Sequence, residues 1–407
     1  MTLATLTLKP GKEKSLKRAH PWIFSGAVAT LRGVDESAIN GVTVRVVDSA
    51  GAFLAWAALS PQSQIRARVW SFDEATTIDA AFFAQRIQAA LANRASLALD
   101  SNGWRLVHAE ADGLPGLVVD RYDDVLVTQF GAAGVERWRA EIVAALQSAT
   151  GLARIYDRSD TDTRTLEGLP ARSGWLAGAG DQSVQINEHG IHYTVDLAVG
   201  HKTGWYLDQR DNRLALQELV RRHRLARVLN CFCYTGGFSL SALKGGATHV
   251  VSVDSSAAAL QTACEQVLKN GYSGSSSGRK ATHIEWLDAD VFKFLREARA
   301  REERYDCIVL DPPKFAPTPA SVERAARAYK DINLLGLRLL NPGGLLFTFS
   351  CSGGVSAELF QKIVAGAAAD AGVRCRIVKR MGAPLDHPIA MEFPEGEYLK
   401  GLVLQRV

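Results

Sequence analysis

The chain has 407 residues, 47% hydrophobic and 22% charged, a composition that excludes a disordered or fibrous protein and whose length favours two or three domains. No run approaches the ~20 consecutive apolar residues of a membrane span, and the opening MTLATLTLKPGKEK has no apolar signal region, so neither a membrane association nor secretion is expected. Six cysteines (Cys231, Cys233, Cys264, Cys307, Cys351, Cys375) form no C-x-x-C pair, which fits a reduced, cytoplasmic protein with free thiols and supplies no metal site.

Short alternating runs at 42–47, 53–58 and 65–70, broken by Gly, Pro, Asp and Ser, predict a mostly-β domain over 1–73. From Met1 to Phe72, nine Lys and Arg face four Asp and Glu, a net +5 against +4 for the whole chain. Such concentration is the footprint of a polyanion binder, and a solvated charged face would give the same count. The spacing of Phe82, Phe83, Ile87 and Leu91 predicts a helix over 77–99. Strands follow at 104–110 and 116–121 around a DGLPG turn, then at 125–130, with a helix at 136–149 and a strand at 154–158. These elements read as a central α+β domain, 74–180, and a hairpin of 184–187 with 191–197 opens a last domain, 181–407.

From about 207 the pattern changes. Apolar strands at 227–232, 249–254, 283–288, 305–310 and 344–349 alternate with helices such as 255–269 and 320–340. That alternation predicts an α/β fold, a mostly parallel sheet covered on both faces, with 374–380 and 398–406 as edge strands, one of them reversed. The Gly/Ser run 272–278 reads as a surface loop.

Ligands of such sheets bind outside the C-terminal strand ends. The first strand is followed by a Gly-Gly loop, Asn230-Cys-Phe-Cys-Tyr-Thr-Gly236-Gly237-Phe-Ser239, which is not the G-x-G-x-x-G of dinucleotide sites. The second strand ends at Asp254, the third at Leu287-Asp288-Ala289-Asp290, the fourth at Asp311-Pro312-Pro313-Lys314-Phe315 and the fifth at Cys351. A glycine loop with carboxylates after three strands suits ribose hydroxyls and a neutral-to-cationic nucleoside better than phosphates, although any single Asp could simply cap the next helix.

These stretches, with Lys202-Thr-Gly-Trp-Tyr206-Leu-Asp-Gln209-Arg210-Asp-Asn-Arg213, resemble class I S-adenosylmethionine-dependent methyltransferases, and among them the large-subunit ribosomal RNA cytosine-C5 methyltransferases of the RlmI type. The resemblance spans the chain and implies a PUA-like RNA-binding domain, a central α+β domain and a Rossmann-like methyltransferase domain with a seven-stranded sheet. It implies S-adenosylmethionine as cofactor, held by Tyr206, Gln209, Arg210, Phe232, Tyr234, Gly236, Gly237, Asp254, Asp290 and Asp311. An interdomain salt bridge is the competing role for Arg210. The implied partner is large-subunit (23S) ribosomal RNA, and a homodimer is left open.

A lone cysteine between serines in Phe349-Ser-Cys351-Ser-Gly-Gly354 matches the chemistry of cytosine C5, which needs a thiolate added at C6 before it can accept a methyl group. Cys351 is the expected nucleophile, with Asp311 holding the base edge; the other five cysteines read as core. Pro313 stands where other RNA cytosine-C5 families carry a second cysteine, so no two-cysteine release is available. Lys9, Lys12, Lys14, Lys17, Arg18 and Lys314 are the candidate RNA contacts, with 221–224 a weaker basic patch. The rival readings are a guanine methyltransferase, which needs no thiol, and a non-catalytic RNA-binding assembly factor.

Overall fold

The computed structural model of the chain describes residues 4–35, 39–272, 282–315 and 321–407, so most of the Gly/Ser run at 272–278 and the start of the helix expected at 320 lie outside the described residues. The chain forms two compact units: Met1–Glu188 with Thr194–Leu207 and Leu385–Gly396, and His189–Tyr193 with Asp208–Pro384 and Glu397–Val407. This division is coarser than three successive domains, and it is discontinuous. Among the described residues no helix is long and apolar enough to cross a membrane.

In the first unit, β1 (Thr5–Leu8), β2 (Trp22–Phe24), β3 (Val28–Arg32), β4 (Thr43–Val47), β5 (Phe53–Leu59) and β6 (Ile65–Ser71) form a sheet in the order β2-β6-β5-β4-β1-β3. Alternation with period two turns Leu6, Leu8, Val44, Val46, Ala55, Ala57, Ala67 and Val69 into one core. Strands β1 to β3 escape sequence reading because they are short and β3 has no buried residue to mark a face. Helix α1 (Ala80–Ala95) starts three residues later than its periodicity suggests, because the Asp79 carboxylate accepts the Phe82 N–H at 2.9 Å and fixes the N-cap.

A second sheet joins β7 (Gly103–His108), β8 (Leu117–Tyr122), β9 (Val125–Phe130), β10 (Arg154–Ser159) and β11 (Arg172–Ala177) in the order β11-β10-β9-β8-β7. The helix expected at 136–149 is two, α2 (Ala133–Arg137) and α3 (Arg139–Thr150), broken at Trp138. Helix α4 (Asp162–Leu166) and edge strand β11 are additions with no apolar period to announce them. Helix α2 lies against the first sheet: a Cβ on Gly134 would fall 2.5 Å from Ala58 Cβ and 2.7 Å from the Trp70 ring. Arg68 and Glu167 form an ion pair at 2.9 Å that also ties the two sheets together. Strands β12 (Ser183–Glu188) and β13 (Ile191–Asp196) make a two-stranded hairpin.

Residues 385–396 complete this unit from far along the chain. The Asp386 carboxylate accepts the Arg105 N–H at 2.9 Å, its carbonyl accepts Arg94 Nη2 at 3.1 Å, and the Phe393 ring meets Trp22 at 4.7 Å between centroids.

The second unit is the α/β part. Its elements are α5 (Arg210–His223), β14 (Arg227–Cys231), α6 (Gly237–Gly245), β15 (His249–Asp254), α7 (Ala257–Lys269), β16 (His283–Asp288), α8 (Val291–Ala300), β17 (Tyr305–Leu310), α9 (Val322–Leu339), β18 (Leu340–Ser350), α10 (Ala357–Ala371), β19 (Cys375–Met381) and β20 (Lys400–Arg406). The seven-stranded sheet runs β16-β15-β14-β17-β18-β20-β19, parallel from β16 to β18, with β20 antiparallel to both neighbours. The reversed strand is therefore interior rather than at an edge, as its burial from Lys400 to Leu404 requires. Strand order reverses between β14 and β17, and the crevice at that switch point is where this architecture places ligands.

Candidate functional site

The loop leaving β14 holds an uncommon backbone. Phe232, Tyr234 and Gly236 have φ of 58°, 48° and 82°, so two bulky residues sit in the left-handed region. The surroundings enforce it. The Cys233 N–H donates to Val253 O at 3.1 Å, the Tyr234 N–H to Asp254 Oδ2 at 2.9 Å, and Gln266 Nε2 of α7 to Thr235 O at 3.1 Å. Beneath the loop, Asn230 Nδ2 donates to Ser239 Oγ at 2.9 Å, and Ser239 Oγ lies 2.7 Å from Ser252 Oγ, clamping the start of α6 to β14 and β15. Gly236 is glycine for two reasons: its positive φ, and a Cβ that would stand 3.0 Å from both Ala263 Cβ and the Trp286 ring. Gly237 is the first residue of α6, and its carbonyl accepts the Tyr193 hydroxyl at 3.3 Å.

Asp254 and Asp290 also have structural partners. The second oxygen of Asp254 accepts the Ser256 N–H at 3.0 Å, and Asp290 caps α8 by accepting the Lys293 N–H at 2.8 Å. The capping role weighed for the strand-end acids is thus present at Asp290. Both carboxylates keep acceptor capacity beyond these bonds.

At the end of β17, Asp311 Oδ1 accepts Gln209 Nε2 at 2.9 Å. Gln209 Oε1 in turn accepts Asn212 Nδ2 at 2.6 Å, which also reaches Gly382 O at 2.9 Å. Asn212 is a member of this relay that motif reading missed; its only signal was its place three residues after Gln209. Arg210 is buried, with Nε 3.2 Å from Asp211 Oδ1, an ion pair to its sequence neighbour. Tyr206 belongs to the first unit, where its hydroxyl lies 3.1 Å from His201 Nδ1 and its ring faces Lys202 Nζ at 4.4 Å.

Cys351 follows β18 directly and is partly exposed, with Sγ 3.9 Å from the carbonyl oxygen of Pro312, so the thiol and the Asp311 loop are adjacent. A Cβ on Gly353, two residues on, would meet nothing within 4 Å. Tyr329 of α9, fully buried, puts its hydroxyl 3.0 Å from Ser352 Oγ, and burial pushes its pKa up, so it stays a neutral hydrogen-bonding group. The partly buried Phe315 ring packs among Phe232, Phe292 and Tyr329.

The other thiols separate by burial. Cys231, Cys233 and Cys307 are buried, and desolvation pushes each thiol well up, away from the reactive thiolate. Cys375 is half-buried, and burial raises its pKa too. Cys264 corrects the expectation of a core residue: it is exposed on α7, on the helix's outer face.

Lys9, Lys12, Lys14, Lys17, Arg18 and Lys314 are all exposed. Lys9 Nζ donates to Gly26 O at 3.1 Å and Lys17 pairs with Glu13 at 3.8 Å. Part of the basic excess of 1–72 is spent internally, on Arg45–Glu74 and Arg68–Glu167 ion pairs and a bond from Arg66 to Pro61 O. Among the described residues, one group brings three metal-type ligand atoms within 4.8 Å, His249, His283 and Glu285. Spacing along the chain did not reveal it, because cross-strand pairing of His249 with His283 creates it. It offers one ligand fewer than a closed structural zinc site uses.

Two family models match the chain, a PUA-like domain over residues 6–72 and an S-adenosylmethionine-dependent methyltransferase over residues 148–398. Curated relatives include the ribosomal RNA large subunit methyltransferase I of Shewanella denitrificans, 49% identical over 401 residues covering 98% of each chain. That of Tolumonas auensis is 48% identical over 407 residues, covering 99% of each. In fold, the chain is similar to a protein crystallised in complex with SAH (TM-score 0.83, 24% identical, 99% of this chain and 100% of that one) and to a Streptococcus mutans protein (TM-score 0.81, 23% identical, the same coverage).

The cofactor of such a domain is S-adenosylmethionine, and the residues present fit it. Carboxylates at the ends of β15, β16 and β17 suit ribose hydroxyls, an adenine amino group and a positively charged sulfonium, and would repel phosphates. Thr235 Oγ1, buried at the turn of the glycine loop, has no hydrogen-bond partner among the described residues, as expected of an atom that a polar ligand satisfies.

Proposed function

Because the chain belongs to the ribosomal RNA large subunit methyltransferase I family, we propose that it methylates C5 of a cytidine in large-subunit (23S) ribosomal RNA through a covalent Cys351–C6 adduct. One observation carries the choice of base: Cys351 is the partly exposed thiol at the strand ends, beside the loop that bears Asp311.

S-adenosylmethionine, when bound, supplies a methyl group on a positively charged sulfur. Cytosine C5 is too weak a nucleophile to take it unaided. The Cys351 thiolate adds to C6, forming the S–C6 bond and shifting the C5–C6 electron pair so that C5 becomes enamine-like. C5 takes the methyl through that pair. Loss of the C5 proton to water restores the C5–C6 double bond and expels the thiolate. Asp311, which accepts from Gln209 Nε2, takes a hydrogen bond from the N4 amino group. N3 gains a proton from water as the thiolate adds, donates it in a hydrogen bond to the carboxylate in the neutral adduct, and returns it to water on release. Phe232, Tyr234, Gly236, Gly237, Asp254 and Asp290 line the cofactor side, and Gln209 and Arg210 close it.

The target base must leave its stack to reach the thiol. Exposed Lys9, Lys12, Lys14, Lys17 and Arg18 give phosphate contacts that orient the RNA without reading its sequence, and Lys314 approaches the base or its phosphate. The reading places the enzyme's work in the cytoplasm with the ribosome.

RNA bearing 5-fluorocytidine at the target tests the adduct, since fluorine at C5 cannot leave as a proton. The wild-type enzyme should remain covalently attached to it in a denaturing gel, and Cys351→Ala should not. Full methylation by Cys351→Ala would instead favour the guanine reading.

A further inference from the structure

Lysine is almost never fully buried without a counter-charge, yet Lys400 is only 5% exposed. It opens β20, a strand otherwise apolar through Leu404, where an aliphatic side chain would fill the same position without desolvating a charge. Two contacts fix its place. Its backbone pairs with Ser350 across the β18–β20 ladder, and its Nζ donates to the Ser352 carbonyl at 2.9 Å. The residues before and after Cys351 are thus both held by Lys400. Among the described residues no carboxylate forms an ion pair with this ammonium.

We propose that Lys400 is a positioning residue for Cys351, an ammonium held under the thiol's loop that favours the thiolate needed for attack on C6. The proposal rests on the covalent reading above. The charge arrangement supports it: burial disfavours the Lys400 ammonium, and negative charge on Glu397 or Cys351 favours it, with Lys314 opposing. Of the groups facing this spot, Glu397 and Lys314 are exposed, where solvent weakens them. Tyr329 is neutral, and the Asp311 carboxylate keeps its charge on accepting from the Gln209 amide and opposes a thiolate beside its loop. The Cys351 thiolate is the anion that completes the pair. The thiol gives its proton to water before attack, and the thiolate expelled at the end of the cycle returns to the same ammonium, so Lys400 neither gains nor loses a proton.

The test is the rate of Cys351 alkylation by iodoacetamide against pH in the full-length protein, read at the Cys351 peptide by mass spectrometry so that Cys264 does not interfere. The wild-type midpoint should lie below the ~8.5 of an ordinary cysteine. Lys400→Met should raise it by about one unit and slow alkylation near neutral pH about tenfold, while Lys400→Arg keeps it within about twofold of wild type. A wild-type midpoint at or above ~8.5 overturns the proposal without any variant. So does an unchanged midpoint in a Lys400→Met protein of normal circular dichroism and cofactor binding. Failure here is distinct from failure of the covalent reading. An ordinary midpoint with trapping lost in Cys351→Ala removes only the role of Lys400, whereas trapping that persists in Cys351→Ala removes the nucleophile.

Discussion

Gly236 carries two constraints at once, a φ of 82° and a wall formed by Ala263 and Trp286 at 3.0 Å. Gly236→Ala should therefore cost about 1–3 kcal/mol, read as a lower urea midpoint. An unchanged midpoint would mean the loop relaxes freely. Motif reading found this glycine as part of a cofactor loop but not its packing, because the wall formed by Trp286 comes from a strand fifty residues away. Cys351, Asp311 and Asp254 were legible because the ends of parallel strands are legible: an apolar run stops, and the next polar side chain is at the ligand face. Lys400 and Asn212 were not, because each acts through a partner that only tertiary pairing brings near.

At the scale of elements, α8 begins on the Asp290 cap, and that carboxylate is also a candidate cofactor contact. The two roles come apart by substitution. Asp290→Asn retains a capping oxygen and should leave stability unchanged, whereas Asp290→Ala should lose about 0.5–2 kcal/mol in denaturant. Calorimetric titration with S-adenosylmethionine then reads the second role: weaker binding in the stable Asn variant assigns the charge to the cofactor, and equal binding assigns Asp290 to the helix alone. The five parallel strands of the second unit fell where their apolar runs predicted, within a few residues at each end. The reversed strand was also anticipated, yet its interior position was not, since a short apolar run reads the same whether one neighbour or two flank it. The small strands of the first sheet stayed hidden for a related reason: three to five residues are too few to establish a period.

The whole molecule is held partly by buried charge in its first unit. His108 sits beside Arg105, whose Nη1 is 3.2 Å from His108 Nδ1, so this nitrogen accepts and the ring is neutral. Burial, then the charges of Arg105, His387 and Arg94, depress its pKa, with Asp386 opposing. A depressed folded-state pKa means that the unfolded chain binds the proton more readily. The stabilising contribution is therefore complete above the ordinary value of ~6.5 and is lost as pH falls below it. Melting temperatures measured from pH 7.5 down to about 5.5 should fall more steeply for wild type than for His108→Asn. Parallel curves would assign the acid sensitivity to other groups.

The return of residues 385–396 to the first unit has a consequence for synthesis. Arg94 and the backbone of Arg105 are made early, but their partner Asp386 is made almost three hundred residues later. Domains commonly fold in order as they leave the ribosome. Here the contacts of Arg94 and Arg105 with Asp386, and of Trp22 with Phe393, form only once residues 385–396 have emerged. The sheets of the first unit can form first, but their closure by 385–396 comes only after strands β14 to β19 of the second unit have been made.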